Sequence, residues 1–465
     1  MGRSAEFRFM RNRLNYPTTG ALPALLAWLI AAGIALQGPV RAAAADFAST
    51  VRLRGALDNS RRAFERTGHG RIAFIGGSIT ETDGYRVLVG DSLKRRFQAT
   101  DFSLINAGVS STCSTTGAFR LDEDVLSRGP IDLLFVEFAV NDDQDARHTR
   151  AECIRGMEGI VRHARSRYPN IDIVFVYFVN PEMLKTIQSG RAPLPIEAHE
   201  AVAARYGVPS IDVAGEVAAE IASGTLTWES YGGTHPSRAG HALCARMIDS
   251  LLDRAWSTSP APDARPRPHP LPKAPLDPFS YSHGRFIDSA RARFAAGAPD
   301  RHRQAGPAGQ SARPVPGQGD TEAAARPGDK GAEAAVLSAA ARTGGWTLGV
   351  PDWSRLPGEK RARFTSAVML CATEPGAALT LEFEGTAIGV YVLAGPEAGI
   401  AEASIDGGPY READLYHEFS RGLHYPRTVL LGAELRPGRH TLALRVSAST
   451  TSGGHAIRIL QFAAN

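Results

Sequence analysis

Between about residues 50 and 256 the chain alternates short, nearly continuous apolar runs with amphipathic stretches. The runs Ile72–Ile75, Phe102–Asn106, Asp132–Phe138, Ile171–Val179 and Ser210–Val213 predict strands. Most lack a polar alternate position, which marks parallel strands covered on both faces. Between them apolar residues recur at helical spacing. Val89, Leu93 and Phe97 form one stripe, Cys153, Met157, Ile160 and Val161 another, and Cys244, Met247, Ile248 and Leu251 a third. This alternation predicts a doubly wound α/β/α three-layer sandwich on a parallel sheet.

From about 344 to 465 the rhythm changes to short strands with a period of two, as in Ala378-Leu379-Thr380-Leu381-Glu382-Phe383 and His440-Thr441-Leu442-Ala443-Leu444-Arg445-Val446. Turn signals such as Asp406-Gly407-Gly408 and Pro437-Gly438 separate them. The pattern predicts an all-β sandwich of jelly-roll type. Residues 257–343, rich in Pro, Ala, Gly and Arg, bury too little apolar surface to order themselves and read as a partly disordered linker. Phe279 to Phe294, with its aromatics, is the exception expected to pack on a neighbour.

The 465 residues carry a formal charge of +4, and that excess lies in residues 1–45, which hold Arg3, Arg8, Arg11, Arg13 and Arg41 against Glu6. The remainder is balanced and carries no nucleic-acid footprint. Residues 1–45 read as an export signal: an Arg-bearing start, the apolar run Ala21 to Leu36, a Gly38-Pro39 break and small residues at Ala42–Ala45. The competing reading is an uncleaved anchor; no later segment is apolar and long enough to span a bilayer. The expected location is therefore periplasmic or extracellular, without stable membrane insertion after cleavage. Four cysteines in an exported chain permit up to two disulfides, Cys113 to Cys153 among them, although burial on helix faces accounts for Cys153 and Cys244. None has zinc-site spacing, and neither metal nor cofactor is assigned. Oligomeric state is not legible.

The loops after successive strands each present a polar group. Gly76-Gly77-Ser78-Ile79-Thr80-Glu81 follows the first strand, and its glycines permit a tight strand-to-helix turn with backbone N–H donors. Such loops also bind phosphate or are plain turns. Asn106-Ala107-Gly108 ends the second strand, Asn141-Asp142 follows the third, and Thr234-His235-Pro236 precedes the final helix. Taken singly, Asn141 reads as a helix cap and His235 as a loop residue. Open α/β sheets, however, bind ligands outside the carboxyl ends of their strands, where these groups converge.

In this order the four blocks resemble the SGNH (GDSL-like) hydrolase superfamily over about residues 68–255. The resemblance implies a flavodoxin-like α/β/α fold, Ser78 as nucleophile and His235 as general base. It also implies an oxyanion hole from the N–H groups of Ser78 and Gly108 and the Asn141 amide. Three positions depart from the family pattern. Gly77 stands where Asp usually precedes the serine, Ala139 where Gly often precedes the asparagine two residues on, and Gly232 where an Asp normally orients the histidine. Glu229 is the nearest acidic substitute, and an exposed turn residue is the plainer reading of it. The sandwich resembles modules attached to secreted carbohydrate esterases. Together these imply an exported serine esterase that removes short acyl groups, O-acetyl foremost, from a carbohydrate or other small acyl ester through an acyl-Ser78. The alternatives are a lipase, thioesterase or O-acyltransferase using the same serine, and a catalytically impaired glycan-binding protein.

Overall fold

The protein is described here by a computed structural model, which covers residues 47–55, 57–258, 261, 265–294 and 341–465. The expected export signal lies outside the described residues, as does most of the expected linker. No helix among the described residues is long and apolar enough to cross a membrane.

Six strands form the first sheet: β1 (Val51–Arg52), β2 (His69–Gly76), β3 (Asp101–Gly108), β4 (Leu133–Glu137), β5 (Asp172–Tyr177) and β6 (Ser210–Asp212). Their spatial order is β1-β6-β5-β4-β2-β3, parallel throughout except that β1 runs antiparallel to β6. The five expected strands thus pair in the flavodoxin-like order 2-1-3-4-5, whose switch point falls beside the first of them. β4 and β5 are buried along their whole lengths, the reason they read as unbroken apolar runs. The helix Arg150–Arg167 opens on a capping box between Thr149 and Glu152 and buries the expected stripe of Cys153, Met157, Ile160 and Val161.

The carboxyl-terminal strands are β7 (Arg285–Asp288), β8 (Arg293–Phe294), β9 (Ala341–Thr343), β10 (Trp346–Gly349), β11 (Met369–Ala372), β12 (Ala378–Gly385), β13 (Ile388–Ala394), β14 (Ile400–Ile405), β15 (Arg411–Asp414), β16 (Tyr425–Gly432), β17 (Gly438–Val446) and β18 (Ile457–Ala464). They make two antiparallel sheets, β16-β13-β18-β11-β10-β9 with β7 added on β18, and β15-β14-β17-β12-β8. The inward residues of β12 (Leu379, Leu381, Phe383) and β17 (Leu442, Leu444, Val446) meet Val390 and Val392 of β13 and Ile459 and Phe462 of β18 in one apolar core. β13 shows no alternation because its other face is covered too. Tyr391 and Leu393 pack with Met369 and Phe364 around Val109, a residue of the α/β domain.

The domain boundary expected at 344 differs from the structure, since β7 and β8 join the sandwich from residues 285–294. Residues 265–277 also do not behave as a free linker. The buried Glu158 accepts the N–H groups of Leu276 (2.6 Å) and Asp277 (3.0 Å), and the buried Asp172 pairs with His269 Nε2 at 2.7 Å. Polar anchoring by buried carboxylates replaces the apolar burial that this proline-rich composition lacks, and a hydrophobicity argument misses it. All four cysteines are free, so the bridge from Cys113 to Cys153 is absent.

Candidate active site

Ser78 opens a one-turn helix, Ser78–Glu81, directly after β2, and His235 precedes the helix Arg238–Ala255, which Ser237 caps through the N–H groups of Ala239 and Gly240. The two loops meet at the carboxyl end of the sheet. Ser78 Oγ lies 2.8 Å from His235 Nε2, within reach for proton transfer. The residue ahead of the serine, Gly77, carries no side-chain cap, and among the described residues the Ser78 N–H meets no acceptor.

The other two expected donors stand close by, each with a partner. Asn141 Nδ2 donates to Asp145 Oδ2 at 2.7 Å. A carboxylate accepts only, so Asp145 fixes which end of the amide is nitrogen and leaves its second hydrogen for another acceptor. The Gly108 N–H donates to Asn106 Oδ1 at 3.0 Å, at the end of β3. It has a single hydrogen, so it serves a ligand only by sharing or leaving that bond.

Two departures from the family pattern acquire physical reasons. A Cβ at Gly77 would lie 1.9 Å from Asn141 Oδ1 and 2.7 Å from its Cγ, so the asparagine amide occupies the space of any side chain there. A side chain at 77 would therefore have to displace the Asn141 amide. Gly232 has φ +104° and closes the short helix Trp228–Tyr231, and a Cβ there would lie 2.1 Å from Ser237 N. No acid fits at 232. Glu229 does not replace it: it is exposed and makes no hydrogen bond or ion pair with His235, whose Nδ1 meets no acceptor among the described residues. Glu229 is thus an exposed residue, the plainer of its two readings, and the possible orienting acid is not found there. Glu229→Gln is expected to leave kcat within about twofold of the unsubstituted protein, checked by initial rates on a short acyl ester.

One carboxylate that sequence reading passed over lies beneath the serine turn. Glu137, the last residue of β4, is fully buried; its Oε2 accepts Thr80 Oγ1 at 3.0 Å and the Gly77 N–H at 3.4 Å. Burial pushes its pKa up from 4.5 to about 7, against the lowering pull of those two hydrogen bonds. A carboxylate ending an apolar strand was the available signal. The raised value makes the folded state bind the extra proton, so stability present below about pH 4.5 is lost as pH rises through 7. Glu137→Gln is expected to abolish that loss. Its stability relative to the native chain should grow by roughly 1–3 kcal/mol between pH 5 and 8, read as urea midpoints, and parallel profiles would contradict it.

Asp142, next to Asn141, organises a second buried polar cluster. Its Oδ1 accepts the Ser114 N–H at 2.8 Å and its Oδ2 pairs with His199 Nε2 at 2.8 Å. Burial alone would raise its pKa, yet His148 and His199 hold it well below the usual carboxylate range. Ligand-type atoms of Cys113, Asp142 and His148, and of Asp142, Cys153 and His199, lie within 4.8 Å of one another. Both Asp142 oxygens are already engaged by protein donors, so the arrangement works as a hydrogen-bonded anchor for the Asn141 loop.

Residues 74–243 match the family model of the GDSL-like lipase/acylhydrolase family. The matched residues lie within the α/β domain and include Ser78, Gly108, Asn141 and His235. No curated protein matches the chain in sequence. Among solved structures, a two-domain esterase (CEX) active on acetylated mannans, co-crystallised with mannopentaose, matches 90% of this chain and 97% of its own, at 20% identity and TM-score 0.64. A second structure of a two-domain esterase (CEX) active on acetylated mannans matches 90% and 98%, at 20% identity and TM-score 0.63. The likeness to both is one of fold, and it extends across the GDSL-like domain and the sandwich together.

Proposed function

We propose that the protein is a serine esterase working through a Ser78–His235 dyad, and that it removes short acyl groups from a carbohydrate. The observation that carries the reading is the 2.8 Å approach of Ser78 Oγ to His235 Nε2 at the switch point of a GDSL-like domain. His235 Nε2 takes the Ser78 proton as Oγ attacks the ester carbonyl, and the Ser78 N–H, the second Asn141 hydrogen and the Gly108 N–H, sharing its bond to Asn106, stabilise the oxyanion. The alcohol leaves with the proton from Nε2. Water then attacks the acyl-Ser78, gives a proton to Nε2, and the acid departs as the serine is restored. With no acid on Nδ1 among the described residues, the ring is oriented by its loop and by the serine.

The short-acyl, carbohydrate assignment is supported by the shared two-domain fold and by the polar setting of the serine. Glu81, three residues past the serine, accepts the Ser110 N–H and offers its carbonyl to Asn106, and Arg361 and Arg363 donate to the Ser110 and Gly108 carbonyls, so the segment facing the serine turn is polar, where a long-chain lipase needs an apolar groove. An exported location is part of the proposal and is supported by the leader-type pattern of residues 1–45. The test is a chain-length series of p-nitrophenyl esters beside acetate release from acetylated mannan. Rates should peak at acetyl, with acetate freed from the polysaccharide. A maximum at long acyl chains would overturn the substrate class, and no hydrolysis of any ester would overturn the function.

A further inference from the structure

The carboxyl-terminal sandwich touches two of the three segments that carry the expected oxyanion donors, those of Asn141 and Gly108. On one side, Tyr425 of β16 donates its phenol to Asp145 Oδ1 at 2.5 Å, while Asp145 Oδ2 accepts Asn141 Nδ2 at 2.7 Å. Tyr425 and Asp145 are both buried, and the His417 ring stacks on the tyrosine with centroids 4.7 Å apart and planes 7° from parallel. The phenol can turn only at the expense of that stack.

On the other side lies the loop after Gly108. Arg361 donates to the Ser110 carbonyl at 2.7 Å and to Ser111 Oγ at 2.8 Å, and Arg363 donates to the Gly108 carbonyl at 3.2 Å. Ser111 sits at φ 69°, a left-handed conformation that a serine keeps only when its surroundings enforce it. Between these contacts Val109 is 3% exposed and packs among Phe364, Met369, Tyr391 and Leu393 of the sandwich.

We propose that the sandwich is a working part of the catalytic apparatus: Tyr425, acting through Asp145, and Arg361, acting on the 108–111 loop, are positioning residues that hold the oxyanion donors in place. This rests on the esterase reading. Oxyanion stabilisation depends on donors fixed before the reaction, so loosening either loop should lower turnover without weakening substrate binding.

The experiment uses the full chain with Tyr425→Phe, Arg361→Met and Arg361→Lys, assayed on p-nitrophenyl acetate with circular dichroism and thermal midpoints in parallel. Tyr425→Phe and Arg361→Met should each lower kcat by about tenfold with KM within about threefold and native spectra. Arg361→Lys should recover part of the loss, and Arg445→Met, on β17 where it pairs with Glu402 of β14, should match the native chain. Unchanged kcat, a rise in KM alone, or losses that track unfolding would overturn the proposal. Failure of the native chain to hydrolyse any ester would instead defeat the esterase reading.

Discussion

Ser78→Ala is expected to lower kcat on short acyl esters by about 10⁴- to 10⁶-fold, and His235→Ala by a similar factor. The two act as a unit across 2.8 Å: the imidazole has no task without the hydroxyl, and the hydroxyl is a weak nucleophile without a base. The double substitution should therefore be scarcely slower than either single one, with residual turnover supplied by the remaining donors. Rates that multiply, or a His235→Ala protein within tenfold of the native chain, would mean that the pair does not share a proton.

The second large effect runs against the family pattern. Gly77→Asp restores the residue that usually precedes the serine, yet it is expected to lower kcat by about 10²- to 10³-fold. Its Cβ would fall 1.9 Å from Asn141 Oδ1, and the amide cannot swing aside cheaply because Nδ2 is tied to Asp145. Loss of one oriented donor accounts for the size. Gly77→Ala should show much of the same loss, since the clash comes from Cβ itself. Native rates in both, measured on p-nitrophenyl acetate, would show that Asn141 is free to move.

Much of the architecture is legible in sequence for reasons of burial. β4 and β5 are enclosed on both faces and read as continuous apolar runs, while β12 and β17, with one face toward the core, read as alternation. The loops bearing Ser78, Gly108, Asn141 and His235 are legible because a strand's carboxyl end is a fixed place in such a fold. What is hidden depends on contacts between distant segments. Glu158 holding Leu276 and Asp277 orders a proline-rich stretch that composition assigns to a linker. Asn141 filling the space beside Gly77, and Tyr425 reaching Asp145 across 280 residues, leave no local trace at all. Gly232 is the instructive case. Sequence shows an acid missing, and the left-handed backbone at φ +104° shows why no side chain can stand there.

These residues serve one proposal, a hydroxyl made reactive by an imidazole with no third acid among the described residues. The most direct measurement treats the full chain with a fluorophosphonate, which phosphonylates an activated serine with loss of fluoride, and maps the adduct by peptide mass spectrometry. A single adduct on the peptide carrying Ser78, absent in Ser78→Ala and formed far more slowly in His235→Ala, is the predicted result. An adduct on another residue, or an unlabelled protein that still hydrolyses esters, would contradict it.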